Sequence, residues 1–221
     1  MKTKDKYIGY LYSTPFFLLL LCFMLIPFAM NIGMSFTNYS AINPNVRFIG
    51  LENYKNLLSD ASVWSSIKNT FVFIVGVLVF TMLLGIFYAL VMSMNIRGIN
   101  VLKAIILLPW VIPEPITANV WKWIFSADSG IVYNILLRMH LISEGASFFM
   151  DPNLAMLLII LSNSWRTAPF VAVMVYAKLR SIPTAQLEAA NIDGANSIQT
   201  FFYITIPWLS PILARCCMLL F

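Results

Sequence analysis

Five long apolar runs decide most of what this chain can become. They occupy residues 7–36, 67–94, 101–125, 153–179 and 201–221, and charged residues are sparse within them. A bilayer core is about 30 Å thick, so a helix needs about 20 consecutive apolar residues to cross it, whereas a barrel strand needs only about 10 alternating ones. Unbroken runs of this length select helices, because backbone exposed to lipid must satisfy its hydrogen bonds within each segment. Composition points the same way: 60% of the 221 residues are hydrophobic and 10% charged, against roughly 25% charged in a soluble domain. The expected fold is an all-α, polytopic transmembrane helical bundle, one domain over 1–221.

The formal charge of +5 comes from 14 Lys and Arg against 9 Asp and Glu. These basic residues sit singly at the ends of apolar runs and form no patch, which argues for orientation in a bilayer and against nucleic acid. Lys2, Lys4, Lys6, Arg97, Lys103, Lys178 and Arg180 crowd into short segments, whereas Arg47, Lys55, Lys68, Lys122 and Arg138 are diluted over two longer loops. The positive-inside rule then puts the N-terminus, the Arg97 turn and the segment 181–207 on the cytoplasmic side. The first run is too long for a secretory h-region and no A-x-A site follows it, so it is expected to stay as an anchor. Cys22, Cys216 and Cys217 lie inside apolar runs without metal spacing; they are read as packing or lipid-facing thiols rather than a disulfide framework.

Prolines break this regularity. Pro109, Pro113 and Pro115 keep the third run from being one regular helix, and broken backbone at membrane depth is tolerated only where protein or a water-filled cavity takes up the freed polar groups. Pro15 and Pro27 are expected to bend the first run. The polar segments 37–66, with its turn signals Asn43, Pro44, Gly50 and Asn53, and 126–152 are read as loops.

The segment "SIPTAQLEAANIDGANSIQTFFYITIP" (181–207) keeps small and acidic residues between two apolar runs. Pro183 cannot continue the preceding helix, and Ser181 or Thr184 is expected to cap a new one. On that helix Ala189 lies beside Asp193 and Ala190 beside Gly194, an i,i+4 face of small side chains with Glu188 and Asp193 at its margins. Ile198, Phe201, Phe202 and Thr205 repeat at amphipathic spacing, which predicts a second short helix against the membrane. Locally the segment is either an ordinary loop between spans or a helix–bend–helix surface, hinged at Gly194, that admits another body.

Motifs resolve the choice. "EAANIDGANSIQTFFYITIP" resembles the EAA signature of ABC-transporter permease subunits at Glu188, Ala189, Ala190, Asp193, Gly194, Ala195, Phe201, Ile204 and Pro207. "SFTNY" with "FIGLENYKNLL" and "NTFVF", then "LLPWVIPEPITANVWKWIF" with "GIVYNILL", and "WRTAPF" before "LRSIP", are similar to the carbohydrate-importer branch related to maltose and glycerol-phosphate permeases. The resemblance implies a multi-pass permease of the bacterial inner membrane. Its partners would be a second permease subunit, two copies of an ATP-binding cassette subunit and an external solute-binding protein, with a sugar as cargo. It also implies that the EAA loop docks on the ATPase subunit. No G-x-x-x-x-G-K-[ST] occurs in the chain, so ATP hydrolysis is assigned to that partner, and no catalytic residue, cofactor or metal is expected here. Six spans are usual in the family; the end "ARCCMLLF" does not resemble the usual continuation, and a truncated or frameshifted product is expected, with a non-transporting remnant as one alternative. An importer of glycerol phosphate or another polar solute is a second. An intramembrane enzyme is the rival from another class, but it needs paired acids, clustered His or a nucleophile with its base, and the single His140 has no such company.

An ionisable group inside a span is a functional candidate by default. Arg166, with Asn163, Ser164 and Trp165, would line a substrate path, the indole stacking on a sugar face; the other reading pairs Arg166 with Glu114 or brings it near an interface. Glu114 is equally a path residue or a buried partner. Trp110, Trp121 and Trp123 are read as interfacial anchors.

Overall fold

Proline and polar side chains decide where the helices of this apolar chain stop. The computed structural model describes residues 3–40, 42, 45–143, 145 and 147–220, with side chains from residue 10 onward. Among the described residues the architecture is all-α, and the only extended pairing is an isolated bridge between Thr37 and Phe48. Where one domain was expected, contacts group the chain into two compact units, Met1–Asn69 and Thr70–Phe221.

In the first unit α1 (Thr3–Leu20), a π-helical turn (Leu21–Leu25) and α2 (Ile26–Ser35) follow without a break. The segment expected as loop, 37–66, contains α3 (Glu52–Ser59) and the start of α4 (Ala61–Ser93). A polar knot holds it: Asn53 Nδ2 donates to the carbonyls of Ser35 (2.8 Å) and Thr37 (2.9 Å), and Ser35 Oγ meets the Tyr54 hydroxyl at 2.6 Å. Asn53 thereby satisfies carbonyls left open at the end of α2. Asp60 starts α4 by accepting from the Ser62 backbone N–H at 2.8 Å. That bond, and then the Ser62 hydroxyl, hold the Asp60 carboxyl below its ordinary range.

The second unit contains most of α4, then α5 (Ile99–Val111), α6 (Glu114–Ile124), α7 (Ile131–Arg138), α8 (Pro152–Leu179), α9 (Thr184–Ile192), α10 (Ser197–Thr200), a π-helical turn (Phe201–Thr205) and α11 (Ile206–Leu219). Helix α7 lies within the expected loop 126–152. Among the described residues four helical stretches are long and apolar enough to cross a membrane, Tyr10–Ser35, Ala61–Ser93, Pro152–Leu179 and Ser197–Leu219; α5 and α6, bent by 102° at their break, supply a fifth if counted as one span. The proline-rich third run is thus broken between Val111 and Glu114, as its prolines require. Pro27 and Pro207 act differently. Each follows a π turn whose closing bond runs five residues back, Ile26 N–H to Leu21 O and Ile206 N–H to Phe201 O. A proline ring collides with the carbonyl four residues before it, and the widened turn takes up that conflict without ending the helix.

Helix α8 is the hub. Its Val171 and Val175 form a buried cluster with Ala89 of α4 and with Leu209 and Cys216 of α11, while Ala172 packs with Met92 of α4 and Ile106 of α5. The α4 side of this seam is a stripe at i,i+4 spacing, Val77, Thr81, Gly85 and Ala89. Lipid supplies no hydrophobic drive for helix pairing, so small residues that let backbones approach, and hydroxyls that bridge them, do that work. Thr81 Oγ1 lies 3.1 Å from Thr167 Oγ1, and Ser164 Oγ donates to the Val77 carbonyl at 3.4 Å. Ser164 is fully buried in this seam, which removes it from the expected path lining. Of the thiols, Cys216 is core, Cys217 half-buried and Cys22 exposed, and all three are free.

Candidate functional site

Two constellations stand out, one at the α5–α6 break and one around α9. At the break, Pro113 precedes α6 and its carbonyl accepts from Ile116 (3.0 Å) and Thr117 (3.1 Å). Glu114 therefore begins the helix, where the unpaired N–H groups and the macrodipole favour a carboxylate. Arg166 projects from α8 and its Nη2 meets Glu114 Oε2 at 3.5 Å, the only ion pair among the described residues. The contact is long and single. Arg166 is 21% exposed and Glu114 67%, and Arg166 Nε is buried with no acceptor. Of the two readings of Arg166, the pairing with Glu114 is realised, and it lies at the edge of a cavity.

That cavity, ≈ 290 Å³, is lined by Glu114, Thr117, Ala118, Trp121 and Lys122 from α6, Leu158, Ile159, Ser162, Asn163 and Arg166 from α8, and Phe73 and Phe149. Of the residues expected to line a path, Asn163, Arg166 and Glu114 come together here; Ser164 and Trp165 do not. Trp165 instead packs 6.2 Å from Trp121, whose ring stacks on Phe125 at 5.8 Å and 16°. Trp121, read from sequence as an interfacial anchor, is therefore part of the cavity wall, while Trp110 and Trp123 are half-exposed. Lys122 and Ser162 carry no site reading in the sequence, and Trp121 only that of an anchor. Their signal was spacing: 114, 117, 118, 121 and 122 form one helical face, as do 159, 162, 163 and 166.

The α9 constellation begins with a correction. Neither Ser181 nor Thr184 caps the helix. Pro183 occupies that position with no side-chain bond, and Ser181 Oγ instead donates to the Lys178 carbonyl at 2.7 Å and accepts from Trp208 Nε1 at 3.3 Å. Lys178 Nζ stands 4.4 Å over the Trp208 ring, so the end of α8 is tied to the start of α11 beneath the loop. Helix α9 closes with a Schellman motif: Ala195 N–H donates to Ala190 O (2.9 Å) and Gly194 N–H to Asn191 O (3.1 Å), with Gly194 at φ +79°. Asn196 and Gln199 then form a capping box with two 2.8 Å bonds. The expected second short helix is not separate. It is the opening of one 23-residue helix, Ser197–Leu219.

Within the signature residues, Glu188, Ala189, Asp193 and Gly194 are exposed and Ala195 half-buried, but Ala190 is 8% exposed and turned into the fold. The small-residue face expected at Ala189 and Ala190 is therefore divided between outside and inside, and the exposed apolar side chain beside Ala189 is Ile192, at 86%. Phe201 and Ile204 are half-buried and Pro207 exposed. Half-buried Leu187 and exposed Asn191 line a cavity of ≈ 430 Å³ together with Arg180 and Phe201.

A broken span beside a cavity with polar groups, in a bundle of membrane-length helices, is an arrangement that membrane transport proteins use. Residues 81–219 match the model of the binding-protein-dependent transport system inner membrane component family, and the chain belongs to that family. It is 32% identical to a probable ABC transporter permease protein of Pyrococcus horikoshii over 90% of this chain and 68% of that protein. To the trehalose/maltose transport system permease protein MalF of Thermococcus litoralis it is 31% identical, over 96% of this chain and 72% of the relative. The fold superposes with a TM-score of 0.80 and 25% identity on a chain of the crystal structure of a bacterial alginate ABC transporter in complex with alginate pentasaccharide-bound periplasmic protein, covering 96% of this chain and 70% of that one. The chain is thus a multi-pass membrane permease of an ABC transporter.

Proposed function

We propose that this chain is a permease subunit of an ATP-driven, binding-protein-dependent sugar importer, in which the segment 181–207 carries the stroke of a separate ATPase subunit to the spans. The observation that carries the reading is the form of α9: a short helix closed at Gly194, exposing Glu188, Ala189, Ile192 and Asp193, and joined directly to the helix that continues as α11. Exposed Ile192 gives a docking partner apolar area, and the two carboxylates give it charge to match. Because Lys178, Ser181 and Trp208 close the base of the loop, a push on α9 is delivered to α8 and α11 together. A maltose or trehalose cargo in one relative and an oligosaccharide in the structural neighbour support a sugar as the solute.

In this reading the N-terminus and α9 face the cytoplasm of a bacterial cell, a solute-binding protein delivers cargo from outside, and a second permease and two ATPase subunits complete the importer. Asn163, Arg166 and Glu114 line the solute path. The test is an Ala189→Cys variant of the chain expressed with its importer. A membrane-impermeant maleimide should label it in inverted vesicles and not in intact cells, and a bifunctional reagent from that cysteine should trap a nucleotide-binding subunit. Labelling from outside the cell overturns the reading.

A further inference from the structure

Helices of membrane length end together around the cavity beneath α9. Leu90 and Ser93 lie in the last turn of α4, Leu179 closes α8, and Ser197 opens the helix that runs to Leu219; all four line the same space of ≈ 430 Å³. The ends of spanning helices mark the headgroup depth of one leaflet. The cavity therefore lies at the level of lipid phosphates.

Its polar groups are donors without acceptors. The Arg180 guanidinium has no ion-pair or hydrogen-bond partner among the described residues, and neither the Asn191 amide nor the hydroxyls of Ser197, Thr200 and Thr205 are bonded there. No described Asp or Glu lines the cavity. The neighbouring cation, Lys178, is already engaged by the Trp208 ring, and the Ser93 hydroxyl by the Leu90 carbonyl at 2.6 Å. Thr205, otherwise buried at 8% exposure, also reaches this space.

A guanidinium among hydroxyl and amide donors, with no resident carboxylate, suits a cluster of anionic oxygens. The rest of the wall is apolar and half-buried, including Leu179, Leu187 and Phe201. A free anion leaves that wall bare, and a neutral apolar molecule leaves the donors unmet. An amphiphile with an anionic head satisfies both, and basic pockets between the ends of spanning helices are places where lipid headgroups bind.

We propose that this cavity binds one anionic phospholipid from the leaflet on the α9 side, its phosphate held by Arg180 with Asn191, Ser197 and Thr200, and its glycerol and first acyl carbons against Leu187 and Phe201. The bound lipid braces α9 against the ends of α4 and α8. The site rests on the membrane placement of the spans and not on the ATPase reading.

The experiment uses the full chain purified in detergent and titrated separately with phosphatidylglycerol, phosphatidylcholine and inorganic phosphate. Native mass spectrometry counts retained lipid, and hydrogen exchange follows the amides of α9. One phosphatidylglycerol should be retained roughly tenfold more tightly than phosphatidylcholine, the range of one charge-assisted hydrogen bond, and should slow exchange in α9. Arg180→Gln should erase both the preference and the protection while leaving the lipid-free unfolding midpoint unchanged, because Arg180 is exposed and has no partner to lose. Arg180→Lys should keep part of the preference, and Thr200→Val should weaken phosphatidylglycerol without touching the charge. Arg97→Gln removes an exposed base from the turn after α4 and should change nothing. Equal retention of the two lipids overturns the proposal, as does an Arg97→Gln loss as large as that of Arg180→Gln, which means diffuse surface attraction. Protection of α9 by inorganic phosphate equal to that by phosphatidylglycerol also overturns it, since the ligand is then a free anion. No ATPase or solute takes part, so none of these results bears on the importer reading.

Discussion

A β-carbon added to Gly85 would lie 2.6 Å from Val171 Cγ1 and 2.7 Å from Val171 Cβ, with the Ala168 carbonyl 3.3 Å away. The neighbours are a β-branched side chain with one comfortable rotamer in a helix and a backbone oxygen, and neither yields. This absent side chain lets α4 lie against α8.

Gly85→Ala is therefore expected to destabilise the fold by about 1–3 kcal/mol, the usual cost of overpacking. Gly76→Ala should cost less, since its nearest neighbour, Ile160 Cδ1 at 2.6 Å, is the far end of a flexible side chain. Gly33→Ala, with nothing within 4 Å, should be neutral or gain up to about 1 kcal/mol from helix propensity. Thermal unfolding of the three purified variants should rank them in that order, and an unchanged midpoint for Gly85→Ala contradicts the packing argument.

Gly194 and His140 hold the same place at the ends of two helices. His140, at φ +56°, follows α7, where Leu141 N–H donates to Leu136 O and His140 N–H to Leu137 O, both at 3.0 Å. A side chain in left-handed backbone costs about 1–2 kcal/mol relative to glycine. His140→Gly should raise the unfolding midpoint and Gly194→Ala lower it. Space around Gly194 is open, so the loss there reflects backbone strain, and amide exchange in α9 should quicken first.

Asn53 spans two carbonyls that nothing else in the polar knot replaces. Asn53→Ala should cost about 1–3 kcal/mol through the two orphaned acceptors, whereas Tyr54→Phe removes one exposed bond to Ser35 and should cost less. Limited proteolysis between α2 and α3 checks the order: Asn53→Ala should be cut first.

Lys178 and Trp208 should be energetically coupled. A cation over an indole is worth roughly 0.5–2 kcal/mol. A double-mutant cycle with Lys178→Gln and Trp208→Leu, read by thermal unfolding, should return a coupling in that range. A coupling of zero would mean that the base of the 181–207 loop is held by other contacts.

Much of this architecture was legible beforehand. The apolar runs located the membrane-length helices, the prolines announced the break between Val111 and Glu114, and Gly194 marked the end of α9. The differences lie where neighbours in sequence are not neighbours in space. Residues 163–166 were read as one lining, yet a helix turns successive side chains by about 100°, so Ser164 went into the α4 seam and Trp165 to Trp121, while Ile159 and Ser162 joined the cavity. The same rotation divided Ala189 from Ala190. Helices α3 and α7 lie in polar surroundings that read as turns; the Ser181 hydroxyl turns back to the Lys178 carbonyl and accepts from Trp208, while Thr184 already stands inside α9, after Pro183.

Sequence alone determined the all-helical membrane character, the broken third span and the polar segment between the last two runs, because hydropathy, proline chemistry and charge bias act within a few turns of backbone. Only the tertiary structure decided that Arg166 meets Glu114, that Ser164 enters the α4 seam, and that Ala190 turns inward. Those outcomes depend on how helices rotate and approach one another, which glycine, hydroxyl and β-branched contacts across the seams select and which local patterns leave undetermined.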